Sequence, residues 1–511
     1  MKTFNLLNKL AFVCAATIVL ATSCKKDKDS TLAGTEETSG PDLNFIALTS
    51  DNRLMTINAK NVSTAISTSS ITGLQTAETI AAIDFRPATG ELYGISNASR
   101  LYIINAQTGV ARAVTTTPFT PAITASANGA GFDFNPTVDR IRYVGVNGQN
   151  LRLNPETGTV ASIDGVINGA TNASIGAVAY TQNRAGAATT VLFDIDITND
   201  KLYKQDPPND GKLVEVGSLT VNAESTAGFD INPAGNSALA ALTVSGIQGL
   251  YTIDLSTGKA VRIMNNLPAK LIGIAIPTEP VAYAITANNE LSIFNPLIPS
   301  PVVKPLSGLQ SGETILGIDF RPVNGQLYAL GSTSRIYTIN ASSGAAAVVG
   351  TAPLTTVLSG TEFGFDFNPF VDRIRVVSNT GQNLRLNPND GLVAGIDLKL
   401  NPGVPSITAA AYTNNFAGTT STVLYDIDTQ TNRLYKQDPP NAGTLVDVGS
   451  LGVTASASNG FDIGSTSGTA YALLTVSGVT KVYTINLTSG AATAGATVTG
   501  NVKAFTLGLG F

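Results

Sequence analysis

Two stretches concentrate the side chains that could do chemistry, and each occurs twice. The first is GFDFNPTVDRIRYVGVNGQNLRLNPETG at Gly131 to Gly158, matched by GFDFNPFVDRIRVVSNTGQNLRLNPNDG at Gly364 to Gly391. In strand-like alternation Arg140 and Arg142 share a face opposite Ile141 and Tyr143, while Arg152 faces away from Leu151 and Leu153. Three guanidinium groups and two carboxylates, Asp133 and Asp139, thus meet in one small sheet, where an unpaired buried charge costs several kcal/mol. They form either an internal ion-pair network or a set of forks for an anionic or hydroxyl-rich ligand. Arg373, Arg375 and Arg385 repeat the set, which has no counterpart elsewhere in the chain.

The second stretch is Phe193-Asp-Ile-Asp-Ile-Thr-Asn-Asp-Lys-Leu-Tyr-Lys-Gln-Asp-Pro-Pro208, matched by Tyr425 to Pro440. Asp194, Asp196, Thr198 and Asp200 at alternate positions faintly resemble a calcium loop. The usual glycine and closing glutamate are missing, and the copy offers Asp426, Asp428, Gln430 and Asn432. A polar strand end with a hairpin turn is the better reading. Tyr203 and Lys204 with Gln205 and Asp206, and Tyr435 and Lys436 with Gln437 and Asp438, are candidates for lining a small-molecule site.

The missing residue types narrow the chemistry further. There is no His and no Trp, and the two cysteines, Cys14 and Cys24, both lie near the N-terminus. An imidazole base, a Cys nucleophile in the folded body and a His or Cys metal site are therefore excluded. No metal or other cofactor is expected, and any catalysis would rest on carboxylates, Tyr, Lys, Arg or hydroxyls. The net charge of −5 becomes −7 once Lys2 and Lys9 leave with the leader, which argues against nucleic acid.

The elements that must position these residues are short strands. Hydrophobic residues make up 43% and charged residues 13% of the chain, and 49 glycines punctuate it. The halves repeat with offsets of 232 to 235 residues: Phe85-Arg-Pro87 recurs at Phe320-Arg-Pro322, and Leu202 to Pro208 at Leu434 to Pro440. Inside each half a period of 43 to 51 residues carries four apolar runs separated by turn residues. Four strands per period is the signature of β-propeller blades. Each half begins on the second strand of a blade (Asn44 to Leu48; Val281 to Ile285). Each also ends on an orphan first strand (Leu271 to Ile276; Phe505 to Gly510) that can complete that blade. The expectation is an all-β fold of two tandem five-bladed rings, residues 43–279 and 280–511, with one ten-bladed ring as the alternative.

Residues 1–23 read as an export signal, with lysines first and an apolar run from Leu10 to Thr22. Leu20-Ala-Thr-Ser-Cys24 resembles a bacterial lipobox, so Cys24 is expected to carry the lipid that anchors the protein to a membrane, and residues 24–42 to form a flexible tether. The charged run Lys25 to Asp29 resembles that of outer-membrane lipoproteins of the bacterial envelope, facing the periplasm or displayed on the surface.

The combination GFDFNP, VDRIR, GQNLRLNP and LYKQDPPN is similar to the bacterial domain of unknown function 4394, in two copies over roughly Leu43 to Phe511. That resemblance implies exported proteins with a propeller-like repeat and carries no catalytic residues over. The expected function is a non-enzymatic binding or scaffold module for a glycan, peptide or protein partner. The alternative is a carbohydrate-active enzyme, a hydrolase or lyase, using carboxylate pairs about 5 to 10 Å apart on a ring axis.

Overall fold

The computed structural model describes residues 37–124 and 126–511, so the export signal, the lipobox and Cys24 lie outside the described residues. The body is a β-propeller architecture of short antiparallel sheets, with 3-10 turns at Pro208–Asp210 and Pro440–Ala442. Apart from the two sheets that close the halves, each sheet follows the chain outward, as in Ile80–Phe85, Leu92–Ser96, Leu101–Ile104 and Ala111–Ala113, every strand pairing with the next. Turn residues set the reversals: Asp139 and its copy Asp372 adopt positive φ (53° and 51°) immediately before the arginine strands.

Closure runs within each half. Leu271–Ala275 pairs with Asn44–Thr49, Ala275 lying opposite Ile46, and Val502–Leu507 pairs with Ala282–Thr286, Thr506 lying opposite Tyr283. The final strand therefore joins the start of its own half and not the first segment of the chain. The first strands also neighbour one another in a cycle. Ile80–Phe85 lies beside Gly131–Asn135, then follow Ile175–Tyr180, Ser225–Ile231 and Leu271–Ala275, which returns to Ile80–Phe85. Ile315–Arg321, Phe363–Asn368, Ile407–Tyr412, Ala455–Ile463 and Val502–Leu507 repeat that order.

The core lies between successive sheets. Tyr93, Phe132, Phe134, Ile141, Tyr143 and Leu151 form one such layer, in which Tyr93 meets Phe134 edge to face at 5.2 Å. Tyr328 and Phe367 repeat the contact at 5.2 Å in the second half. Full burial of each large side chain contributes about 1.5–3 kcal/mol, so these layers hold the sheets together.

The expected tether is shorter than residues 24–42. Glu37–Thr38 forms a strand parallel to the outer strand Ala260–Ile263, with Arg262 Nη1 on Glu37 Oε1 at 2.6 Å. An unpaired sheet edge offers backbone groups for such an addition. The halves meet where Arg86 Nη1 donates to Gly325 O (3.0 Å), Tyr283 Oη to Ala88 O (2.8 Å) and Gly510 N to Thr89 O (2.7 Å). Among the described residues no helix is long and apolar enough to cross a membrane.

Candidate functional site

The cycle of first strands brings one equivalent position per sheet to the centre of each half. In the first half these positions are Asp84, Asp133, Ala179, Asp230 and Ala275; in the second they are Asp319, Asp366, Ala411, Asp462 and Thr506. The equivalence is visible in the hydrogen bonds, because each aspartate accepts from the N–H that follows the next sheet's position. Asp84 Oδ2 takes Phe134 N (2.7 Å), Asp133 Oδ1 takes Tyr180 N (3.0 Å) and Asp230 Oδ2 takes Ile276 N (2.5 Å). Asp319 to Phe367 N (2.7 Å), Asp366 to Tyr412 N (2.9 Å) and Asp462 to Leu507 N (2.7 Å) repeat the arrangement. Each aspartate thus stitches its sheet to the following one. The strands approach closely enough that Gly228, at φ +106°, has no room for a side chain: a Cβ there would sit 2.7 Å from Ile274 N.

Three carboxyl groups converge in each half. Oxygens of Asp84, Asp133 and Asp230 lie within 4.8 Å of one another, as do those of Asp319, Asp366 and Asp462, and all six side chains are buried. Burial, and then the neighbouring Asp230 carboxylate, holds Asp84 well above the usual carboxylate range; burial, then Asp84, does the same to Asp133. Burial lifts Asp230 to about 7 and Asp462 to about 6, each restrained by its backbone N–H bonds. In the second half Thr506 Oγ1 lies 2.9 Å from both Asp319 Oδ1 and Asp462 Oδ2. A hydroxyl has one proton to give, so Thr506 donates to one of these carboxyls at a time, and both oxygens also accept a backbone N–H, from Phe320 and Leu507.

The arginine set is built differently from the sequence expectation. Arg142 is buried; its Nη1 donates to Asn150 Oδ1 and Asp164 Oδ2 (both 2.7 Å) and its Nη2 to Asn209 Oδ1 (2.8 Å). Arg152 clamps the same Asp164 through Nε (2.7 Å) and Nη2 (2.9 Å), and Arg140 donates to its neighbour Asp139 O (2.7 Å). Arg375, Arg385 and Arg373 repeat this with Asn383, Asp397, Asn441 and Asp372 O. Burial alone would raise Asp164, but hydrogen bonds from Arg152 and then Arg142 bring it below the usual value. The expected partners Asp133 and Asp139 go elsewhere: Asp133 to the axis, and Asp139 to Arg86 of the preceding sheet (Nε–Oδ1 2.8 Å). Asp164 and Asp397 were missed, although each follows its arginine by twelve residues in both copies.

The second stretch does not converge on one centre. Asp196 Oδ1 closes the hairpin by accepting from Ser174 N, Thr198 N and Asn199 N, whereas Asp194 is buried with neither carboxylate oxygen hydrogen-bonded. Asp426 repeats Asp194, and burial, countered by Arg375, lifts it to about 8. Tyr203 is buried, Lys204 lies over the Phe193 ring at 5.7 Å, Lys436 pairs with Asp438 at 2.8 Å, and Tyr435 is half-buried. None of these is brought beside the axial carboxyls by a hydrogen bond among the described residues. The axial convergence was legible only as a recurrence: the same three of five first strands carry Asp in each half.

Residues 53–275 and 290–507 match the domain of unknown function DUF4394. The chain belongs to that family and holds two tandem copies of its domain. No curated protein matches. Among solved structures, the chain is similar to the extracellular domain of the one-component system BT4673 from B. thetaiotaomicron, at 11% identity and a TM-score of 0.26 over 89% of this chain and 65% of that one. It is also similar to PorZ, a surface component of the type-IX secretion system of Porphyromonas gingivalis, at 11% identity and a TM-score of 0.24 over 90% of this chain and 60% of that one. The chain thus spans less than two thirds of the length of either.

Proposed function

We propose that the protein is a lipid-anchored envelope module whose two five-bladed rings bind or scaffold a glycan, peptide or protein partner without catalysis. The observation that carries this reading is the position of the carboxyls. A glycosidase needs a pair of carboxyl groups roughly 5–9.5 Å apart with a sugar between them. Here oxygens of the three aspartates lie within 4.8 Å of one another, the side chains are buried, and each accepts from a backbone N–H of the next sheet. The depressions along the first strands of the two halves are lined by Ala, Gly, Phe, Ile and Val and offer no acid or base. Arg142 and Arg375 are buried in bonds within the chain, so recognition falls to the partly exposed Arg152 and Arg385 and to the turns. There Phe370 (58% exposed) and Val371 give the second half an apolar tip where the first has Thr137 and Val138.

The test is a glycan and polysaccharide array run beside a reducing-sugar release assay on the same preparation. Binding without release is the expected result, and release of reducing ends would return the enzyme reading. The anchor is tested separately: Cys24→Ser should move the protein from the membrane fraction to the soluble one, because a single lipidated residue supplies the attachment. Retention in the membrane would overturn the anchor.

A further inference from the structure

The two halves do not leave the same surface free. The first strands of a half all run the same way round its cycle, so the turns that leave them gather on one face. In the first half, the second half covers part of that face. Arg86 Nη1 and Arg112 Nη2 donate to Gly325 O and Pro322 O (both 3.0 Å), and Arg112 Nη1 donates to Val323 O. In the turn after Ile175–Tyr180, Ala185 packs on the core that holds Ile293. Gly186 comes so close that a Cβ there would sit 3.3 Å from Val302 and 3.5 Å from Ile293. One copy of the domain thus rests on the turn face of the other.

The second half keeps the equivalent face and has no such neighbour over the turns after Phe363–Asn368 and Ile407–Tyr412. Ala417 and Gly418 repeat Ala185 and Gly186, yet the space around Gly418 is open. Arg86 Nη1 holds a carbonyl of the other half beside the Tyr93 hydroxyl, whereas among the described residues Arg321 Nη1 has only the matching hydroxyl, Tyr328 Oη at 3.4 Å. The uncovered turns are also more apolar than their sisters. Phe370 stands where the first half has Thr137, and Phe416 (47% exposed) where it has Arg184, with Val371 exposed beside Phe370. The two strands they follow are neighbours in the cycle, so both phenylalanines stand on one face. Exposed aromatic residues grouped in this way are typical of a protein contact surface.

Register decides which contact is left. The first-half counterparts of Ile293 and Val302 are Thr56 and Ser67. These hydroxyls bond each other at 2.9 Å and offer no apolar seat, so the contact between the halves is not repeated head to tail from one chain to the next. Two second halves can instead meet turn face to turn face about a two-fold axis. Each phenylalanine pair then meets its own counterpart, and no separate complementary surface is needed.

We infer that the chain forms a two-fold homodimer through the turn face of its second half, with Phe370 and Phe416 at the contact. The inference rests on the reading of the turns as a recognition surface and names the protein that fills it. The test is sedimentation velocity on the Cys24→Ser chain from about 1 to 100 µM, which spans the affinities of modest protein contacts. The expected result is a dimer that dissociates within that range. Phe370→Asp and Phe416→Asp remove an aromatic anchor and set like charges across the axis, so each should weaken the dimer about tenfold or more. Val404→Asp replaces an exposed apolar residue on a loop that enters a first strand, at the opposite face, and should leave the dimer unchanged. A monomer at every concentration, a species larger than a dimer, or a dimer unmoved by both phenylalanine variants would overturn the inference. So would equal weakening by Val404→Asp. Glycan binding by a chain that stays monomeric would leave the recognition reading standing and overturn only the dimer.

Discussion

The two halves place the same three aspartates around their axes but differ at the position that completes the circle, Ala275 in one and Thr506 in the other. They differ again at the ends of the first strands Ile80–Phe85 and Ile315–Arg321. Arg86 is fully buried between Asp139 and Glu156 and reaches the other half at Gly325, whereas its copy Arg321 holds Asp372 and Asn389 and keeps some exposure. The arginine network deeper in the blade is the same in both, down to the asparagines that accept from Arg142 and Arg375. Duplication has therefore retained what joins sheets to one another. Divergence falls where a half meets its neighbour, or where the backbone demand at the axis is already satisfied.

The largest effect should fall on what is common. Leaving a buried hydrogen-bonding group without its donor costs about 1–3 kcal/mol. Arg142→Ala takes the donor from Asn150 and Asn209 and leaves Asp164 to Arg152 alone, and Arg375→Ala does the same to Asn383, Asn441 and Asp397. Urea unfolding of the two variants should show losses of that size, equal between the halves to within about 0.5 kcal/mol. A loss below about 1 kcal/mol in either would mean that the arginine is not needed by the fold and is free for a ligand. A large inequality would break the equivalence of the two networks.

A second comparison uses pH. Asp426 is raised to about 8 by burial, with Arg375 opposing. The folded chain keeps a proton that the unfolded chain has lost above the usual carboxylate range. The stabilising contribution is thus complete at the acid end and disappears as pH rises toward 8. One such group makes stability fall by at most about 1.4 kcal/mol per pH unit. Between pH 5 and 7 the Asp426→Asn variant should therefore lose stability less steeply than the parent, by up to about 2.7 kcal/mol over the interval. Asp194, also held well above its usual range by burial, should behave alike in Asp194→Asn. Parallel profiles for parent and variant would show that the buried carboxyl is not the source of the pH dependence.

How much of this was legible in the sequence follows from what a one-dimensional pattern can carry. The strands, their fourfold grouping and the completion of each half by Leu271–Ala275 and Val502–Leu507 were readable, because alternation and turn residues act over a few positions. The pairing of Arg142 with Asp164 was not, because Asp133 and Asp139 are closer in sequence and only the third dimension sends them to other partners. Convergence at the axis was hidden for the same reason: Asp84 and Asp230 are separated by three blades along the chain yet face each other across the cycle of first strands. The strand at Glu37–Thr38 could not be seen either, since nothing in two residues announces an edge 225 residues away.

The smallest change is the sharpest test of the comparison. Thr506→Ala gives the second half the residue that the first half has, and removes a buried hydroxyl from between Asp319 and Asp462. Loss of one such hydrogen-bonding group should cost about 1–2 kcal/mol, read by urea unfolding. A Thr506→Ala variant as stable as the parent would show that the fifth position does not distinguish the halves, and the difference between them would have to lie in the packing around Phe505 and Ile274, the residues that precede it on each strand.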